Sequence, residues 1–323
     1  MQKSCKILSK KRVDLEEPHI PVLLQEVVDT FADIKEGAII DCTLGYAGHS
    51  SAILKTNLNV SIIGIDQDIT AIEYSTKRLQ AFGNRVKIVQ GSFGKKITEV
   101  LQMDGEFKTS GVLADIGVSS LQLDSSERGF GFSDDILDMR MNQSQTLSAK
   151  EVINSYSQAE LERIFREYGE VQAWRKAASA IVEYRAKKEI ESAKELSSIV
   201  SKFGKRGSKI HPSTLIFQAI RIEVNDELGQ LNALLDSLQN LAPSGCRVAI
   251  ISFHSLEDRI VKQRFKSWEK SCICDSRAMR CTCGNNHAKG KVVTKKPITA
   301  TQDELRINAR SRSAKMRVFD FGV

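Results

Sequence analysis

Short apolar runs that close on an acid or a small polar residue recur along the first third of the chain. Ala38-Ile39-Ile40 closes on Asp41 and Val60-Ser61-Ile62-Ile63-Gly64-Ile65 closes on Asp66. Val86 to Val89 leads into Gln90-Gly91-Ser92-Phe93, and Gly111-Val112-Leu113-Ala114 closes on Asp115. Runs this short and this rich in Val and Ile predict strands buried on both faces. Between them, apolar residues return at helical spacing. Leu23, Leu24, Val27, Val28 and Phe31 follow Pro21, which suits a first helical turn, and further helices are predicted from Ser50 and over Thr70 to Phe82. Strands alternating with helices predict a parallel α/β sheet.

The alternation stops after Asp115. A loop with Arg128-Gly129-Phe130-Gly131-Phe132 leads into a helical stretch of about 60 residues. Its helix starts are marked by capping boxes: Ser148 with Glu151, Ser157 with Glu160, and Ser192 with Glu195. Trp174, Ala177, Ala178, Ile181 and Val182 form an apolar stripe, and Lys205-Arg206-Gly207-Ser208-Lys209 closes the block. The α/β pattern then resumes with helices over Ser213 to Val224 and Asp226 to Leu241, a strand Arg247 to Ile251, and a helix Leu256 to Trp268. Val292-Val293-Thr294 and Lys315 to Phe319 alternate as antiparallel edge strands would. The expected organisation is a basic arm at 1–17, an α/β domain formed by 18–125 and 211–323, and an inserted helical substrate-recognition subdomain at 126–210.

Composition narrows the class. The chain has 323 residues, 41% hydrophobic and 27% charged, which are globular values. No apolar run reaches membrane length, and no apolar stretch follows the basic Lys3 to Arg12, so neither a membrane span nor a secretory signal is expected. Seven cysteines in this context fit a reducing cytoplasm. The formal charge is +7, and from Arg259 onward 16 Lys or Arg face 5 Asp or Glu, leaving the rest of the chain mildly acidic. Such a basic block is either a solvated surface or the footprint of a polyanion, of which nucleic acid is the commonest.

The chemistry concentrates at Asp41 to Ser50. Strand, glycine turn and helix build a nucleotide-type pocket at the carboxyl edge of a parallel sheet. Asp66 lies about 20 residues past the turn, where a carboxylate accepts from ribose hydroxyls. A dinucleotide loop needs glycines where this chain has Ala47 and Ser50, which speaks against a nicotinamide dehydrogenase. S-adenosylmethionine, with ribose and adenine but no phosphate, is the expected cofactor.

Several further motifs occur in one order: Gly48-His49-Ser50; Ile65-Asp66-Gln67-Asp68; Asp115-Ile116-Gly117-Val118-Ser119-Ser120 with Gln122-Leu123-Asp124; Glu127-Arg128-Gly129-Phe130; Leu137-Asp138-Met139-Arg140-Met141; Phe217 to Ile222 with Val224-Asn225; and Ser252 to Arg259. With these motifs the chain, from about His19 to its end, resembles the bacterial small-subunit ribosomal RNA cytosine-N4 methyltransferase family (RsmH, formerly MraW). The resemblance implies a Rossmann-like S-adenosylmethionine-dependent methyltransferase sheet, mostly parallel with an antiparallel edge, and an inserted helical subdomain. It implies methyl transfer to the exocyclic amine of one cytidine in the decoding region of the small-subunit ribosomal RNA. The RNA is expected within an assembled or late-assembling subunit. Cofactor contacts implied by the resemblance fall on Ala47, Gly48, His49, Asp66, Phe93, Asp115 and Gln122. Members commonly carry glycine where this chain has Ala47, and the basic arm is not part of their pattern.

Individual roles keep two readings each. Asp66 accepts from the ribose or caps a helix. Phe93 lies on the adenine face or in the core. His49 reaches the methionine end of the cofactor or is a plain loop residue. Asp115 ends the fourth strand, where an acceptor for the amine N–H would favour attack; the resemblance assigns it to the cofactor, and both roles are compatible. Arg128, Phe130, Phe132 and Arg140 suit stacking and holding an extruded base, or packing between subdomains. His254 contacts RNA or serves structure. Cys272, Cys274, Cys281 and Cys283 have the ligand count of a zinc site, but one-residue gaps within each pair are tighter than usual; a reduced loop without metal is expected.

Overall fold

The computed structural model describes residues 20–103, 108–119, 122–123, 125–204, 211–275, 277 and 280–322. The basic arm at 1–17 and the closing loop Lys205 to Lys209 lie outside the described residues. The apolar runs form β1 (Gly37–Asp41), β2 (Val60–Asp66), β3 (Val86–Gln90), β4 (Thr109–Asp115) and β5 (Arg247–Ser252). The two late segments form β6 (Gly290–Val292) and β7 (Lys315–Phe321). They make one seven-stranded sheet in the order β3-β2-β1-β4-β5-β7-β6. The first five are parallel, while β7 runs antiparallel to both β5 and β6. This is the Rossmann-like sheet with an antiparallel edge that the sequence predicted.

Both faces of the sheet are buried, as alternation along β1 shows. Ala38 and Ile40 join the apolar layer beneath helices Phe93–Leu101, Glu227–Leu241 and Ser255–Trp268. Ile39 points the other way, towards helices Leu24–Phe31 and Gly48–Thr56. From β1 the chain winds outward through β2 to β3, then returns to place β4 on the other side of β1. That reversal opens a crevice beyond the carboxyl ends of β1 and β4, the place where such sheets bind ligands.

Residues after Arg128 build a third apolar cluster of their own, from Phe130 through Ile153, Phe165, Ile181 and Leu196 to Val224. Helix Thr214–Asn225 contributes Ile216, Phe217, Ala219 and Ile220 to it. The helical unit therefore reaches Asn225, whereas the sequence boundary at 210 had assigned this helix to the sheet. The pattern gave no sign of this, because which core an amphipathic helix joins is a long-range choice.

Ser148 and Ser157 open their helices with complete capping boxes. At Ser192 only half of the box forms: its hydroxyl accepts from Glu195 N–H, but the Glu195 carboxylate turns to Tyr184, Lys188 and the Glu191 N–H. The helix after β2 ends at Leu79 and tightens into a 3-10 segment, which Gly83, with φ +58°, interrupts.

The seam between the two units is held by Arg128. Its guanidinium donates to Asp68 Oδ2 at 3.0 Å and to the carbonyls of Arg140 and Met141, each at 3.0 Å. Asp68 also caps the helix after β2 through Thr70 N–H. Breaking a buried pair strands the remaining charge. Arg128→Ala should therefore cost about 3 kcal/mol of stability, read as a fall in Tm, whereas Arg259→Ala, on an exposed pair with Glu170, should change little.

Candidate active site

Three strands end in carboxylates, and all three converge on the turn after β1. Asp41 Oδ1 accepts from Thr43 N–H at 3.2 Å, and its Oδ2 accepts from the Ser50 hydroxyl at 2.6 Å. Asp66 Oδ2 accepts from Gly45 N–H at 2.7 Å and Oδ1 from Asp68 N–H at 2.8 Å. The backbone N–H of Asp115 donates to Thr43 Oγ1 at 2.7 Å. Gly45 turns with φ +49°, and Gly48 lets Pro21 close over the start of the helix: a Cβ there would sit 2.3 Å from the proline ring.

Beyond this turn lies a cavity of about 370 Å³. Gly48, His49, Asp66, Phe93, Asp115 and Gln122, all expected at the cofactor, line it. Ala47 does not: it is fully buried in the apolar layer below, with a left-handed backbone at φ +56°. Glycine accepts that conformation at no steric cost, which gives a physical reason for the residue expected in relatives. Gln122 contributes indirectly, donating to Asp68 Oδ2 at 2.9 Å while its own oxygen accepts from Ser119 N–H.

The opposite wall comes from the helical unit and the helix after it: Met141, Arg221, Asn225, Glu227 and Gln230. None of these was singled out from the sequence as a site residue, although Met141, Arg221 and Asn225 lie inside motifs that were noted. Arg221 pairs with Glu227 through two hydrogen bonds, at 2.8 and 2.9 Å. Asn225 pins the Met139 to Met141 turn, accepting from Met141 N–H and donating to Met139 O, each at 2.8 Å.

Charge in the cavity is unusual. Burial pushes Asp41 and Asp66 each up to about 6, against the pull of the hydrogen bonds they accept. Asp115 is pushed up to about 8, by burial first and then by the negative charges of Asp41 and Glu257. Its side chain is 23% exposed, but that surface faces the cavity, so desolvation still dominates. Burial lowers His49 to about 4, which leaves it neutral. Its Nε2–H donates to Val22 O at 2.9 Å, so the Nδ1 lone pair faces Asp115 Oδ2 at 3.9 Å. Asp115 Oδ1, Ser92 Oγ and Gln230 Oε1 are buried with no partner in the protein. All three residues line the cavity, ready for a ligand's polar groups.

The expected RNA residues fare differently. Phe130 is buried in the helical core. Arg140 is locked onto Asp138 by two side-chain hydrogen bonds, at 2.9 and 2.7 Å, with a third bond to Gln145 O. Arg128 is the seam described above. For these three the structure takes the packing reading, because each side chain finds its partners inside the protein. Phe132 is half-buried and stacks on His211 at 4.3 Å. His254 caps helix Ser255–Trp268 through Glu257 N–H, and its Nε2 lies 3.1 Å from Glu257 Oε1. The four late cysteines, expected as a loop without metal, have their sulfur atoms drawn together.

The sheet order and the acid-lined crevice at its reversal point define an α/β fold of the kind that holds nucleotide-type ligands beyond its strand ends. Residues 16–321 match the model of the MraW methylase family. A protein of Nitratiruptor sp. is 56% identical over 304 residues, covering 94% of this chain and 98% of its own length. One of Aliarcobacter butzleri is 58% identical over 304 residues, covering 94% and 99%. One of Helicobacter pylori is 52% identical over 308 residues, covering 95% and 99%. Each of these relatives bears the name ribosomal RNA small subunit methyltransferase H. The chain belongs to the MraW methylase family. It is a methyltransferase with S-adenosylmethionine as its cofactor.

The residues present fit that cofactor. Its cationic sulfonium suits a cavity of raised carboxyls, its ribose suits the free lone pairs of Asp66, and a pyrophosphate would be repelled by the same acids. Between about pH 4 and 8 the folded protein retains carboxyl protons that the unfolded chain has lost, so stability falls as pH rises across that span. The cofactor-free protein should thus lose Tm between pH 6.5 and 8.5, and Asp115→Asn should flatten that slope. The affinity advantage of S-adenosylmethionine over S-adenosylhomocysteine should grow over the same range, measured by calorimetry.

Proposed function

We propose that the protein transfers the methyl group of S-adenosylmethionine to the exocyclic N4 of a cytidine in the decoding region of small-subunit ribosomal RNA, acting in the cytoplasm on an assembled or late-assembling subunit. The names carried by relatives more than half identical support the ribosomal substrate, and the motif resemblance supports the cytidine. The observation that carries the chemistry is Asp115, a raised carboxyl with one buried, unpartnered oxygen at the reversal point of the sheet.

A cytosine amine is a poor nucleophile because its lone pair is delocalised into the ring. Attack needs an acceptor for its N–H and an in-line approach to the methyl carbon. When bound, S-adenosylmethionine would supply the methyl group on a positively charged sulfur, and that charge would pass to the amine with the methyl group and leave it as a proton. Beside that charge Asp115 is held ionised and accepts the amine hydrogen. As the amine takes on the methyl group and with it the positive charge, Asp115, no longer beside a sulfonium, would regain its affinity for a proton. The amine proton then passes to Asp115 Oδ1, which gives it up to water on product release. Neutral His49 keeps its lone pair towards the carboxyl, adding no competing cation. Phe253, half-buried after β5, presents an aromatic face to the same cavity, against which an extruded base stacks.

RNA reaches the site along the basic C-terminal block. Arg310 lines the cavity, and Arg306 and Arg312 are exposed close by in the chain. Binding should weaken steeply with salt, as phosphate contacts do.

Labelled methyl should pass from S-adenosylmethionine to small subunits that lack the modification and be recovered as N4-methylcytidine. Label in another nucleoside, or none in any RNA, would contradict the reading. Asp115→Asn should lower kcat by about 100-fold or more, and it should weaken S-adenosylmethionine binding while leaving S-adenosylhomocysteine binding little changed. Asp66→Ala should abolish cofactor binding itself.

A further inference from the structure

Between helix Ser255–Trp268 and β6 the chain makes an excursion that carries Cys272, Cys274, Cys281 and Cys283. None of these residues lines the cavity. Cys272 and Cys281 lie 3.7 Å apart, Sγ to Sγ, as do Cys281 and Cys283, and Cys283 and Cys272. All four sulfurs fall within 4.8 Å of one another. None is in a disulfide. A tetrahedral zinc with bonds of about 2.3 Å sets its sulfur ligands about 3.8 Å apart, so the cluster already has the edge length of that tetrahedron.

We propose that Cys272, Cys274, Cys281 and Cys283 hold one structural zinc ion through four thiolates. The spacing that spoke against zinc in the sequence is answered by the backbone. In each Cys-x-Cys pair the middle residue stays out of the cluster: Ile273 is 63% exposed, and its N–H donates to Cys283 Sγ at 3.4 Å. Thr282 N–H donates likewise to Cys274 Sγ at 3.3 Å. Each pair thus offers a backbone N–H to a sulfur of the other, an arrangement that stabilises thiolate charge. After the second pair, Gly284 and Asn285 take left-handed conformations at φ +83° and +55°, and the His287 ring donates back to Cys283 O at 2.8 Å. This turn leaves the imidazole as a brace for the ligand backbone.

Burial does not account for the order of this excursion. No residue from Ser271 to Lys289 enters any of the apolar clusters among the described residues, and most are exposed. A segment without a core needs a cross-link, and a closed four-thiolate site supplies one. Exposed Arg277 and Arg280 lie between the two pairs and complement the double negative charge of such a centre. An iron–sulfur cluster would interpose several metal atoms and hold its thiolates farther apart. The far end of the excursion docks on the catalytic fold, with Lys289 N–H donating to Trp268 O at 2.7 Å and Lys289 Nζ to Gln239 O at 3.1 Å. The ion would therefore fix the lead-in to β6 and the basic surface around it without entering the reaction.

The test uses the full chain purified under reducing conditions with zinc present. Elemental analysis should find about one zinc per chain, with Cys272→Ser/Cys283→Ser reduced to background. Cobalt added to metal-stripped protein should give the absorption of tetrahedral thiolate cobalt. Because the double variant could misfold, the cobalt spectrum of the unaltered chain stands as an independent readout. Less than a tenth of an equivalent of tightly held zinc together with no cobalt–thiolate absorption would overturn the proposal. So would iron in place of zinc.

Discussion

Everything at the crevice depends on carboxylates held away from water at the ends of β1, β2 and β4. Folding places them there because the strands are parallel and neighbouring, so their carboxyl ends meet at one edge of the sheet. The cost of desolvating them is offset in two different ways. Asp41 and Asp66 accept hydrogen bonds that build the turn after β1, so their charge is spent on shaping the pocket. Asp115 accepts none at Oδ1, and burial beside Asp41 and Glu257 leaves it with a raised proton affinity. One constraint thus yields both the shape of the pocket and the buried carboxyl proposed as the acceptor for the reaction.

The helical unit completes this arrangement and is fastened accordingly. Arg128 ties Asp68 to the Arg140 and Met141 carbonyls, and Asn225 holds the same turn from the other side. Asp68 in turn is bonded by Gln122 from the loop after β4. Gln122 and Arg128, both far from Asp68 in sequence, therefore meet at this one acid beside Asp66, while Asn225 braces the turn that Arg128 holds. That coupling explains why several conspicuous arginines face inward: the closure of the cavity needs them more than any surface does.

Much of this was legible in the sequence, and what was not has a common physical cause. Strands, most helix starts and the positions of Asp66, Asp115 and His49 follow from local pattern and from the rule that ligands sit at strand ends. The partners of Arg128 and Phe130 are set by tertiary contact, and those of Arg140 by the irregular loop from Asp138 to Gln145, so their type suggested a nucleic-acid surface while their surroundings made them structural. The diversion of Glu195 from its capping box to Tyr184 and Lys188 is of the same kind. So is the allegiance of helix Thr214–Asn225 to the inserted core. The left-handed backbone at Ala47 was hidden because alanine itself gives no sign of it. The convergence of four sulfurs was hidden because spacing along the chain does not report how a loop folds back.

The proposed transfer turns on the protonation of Asp115, and carbon-13 NMR of its carboxyl group reads that directly. In the cofactor-free protein Asp115 should titrate near pH 8. With S-adenosylmethionine bound it should move down towards the ordinary carboxylate range, and with S-adenosylhomocysteine it should move much less. A carboxyl already ionised at pH 6 in the free protein, or one that ignores the sulfonium charge, would contradict the account.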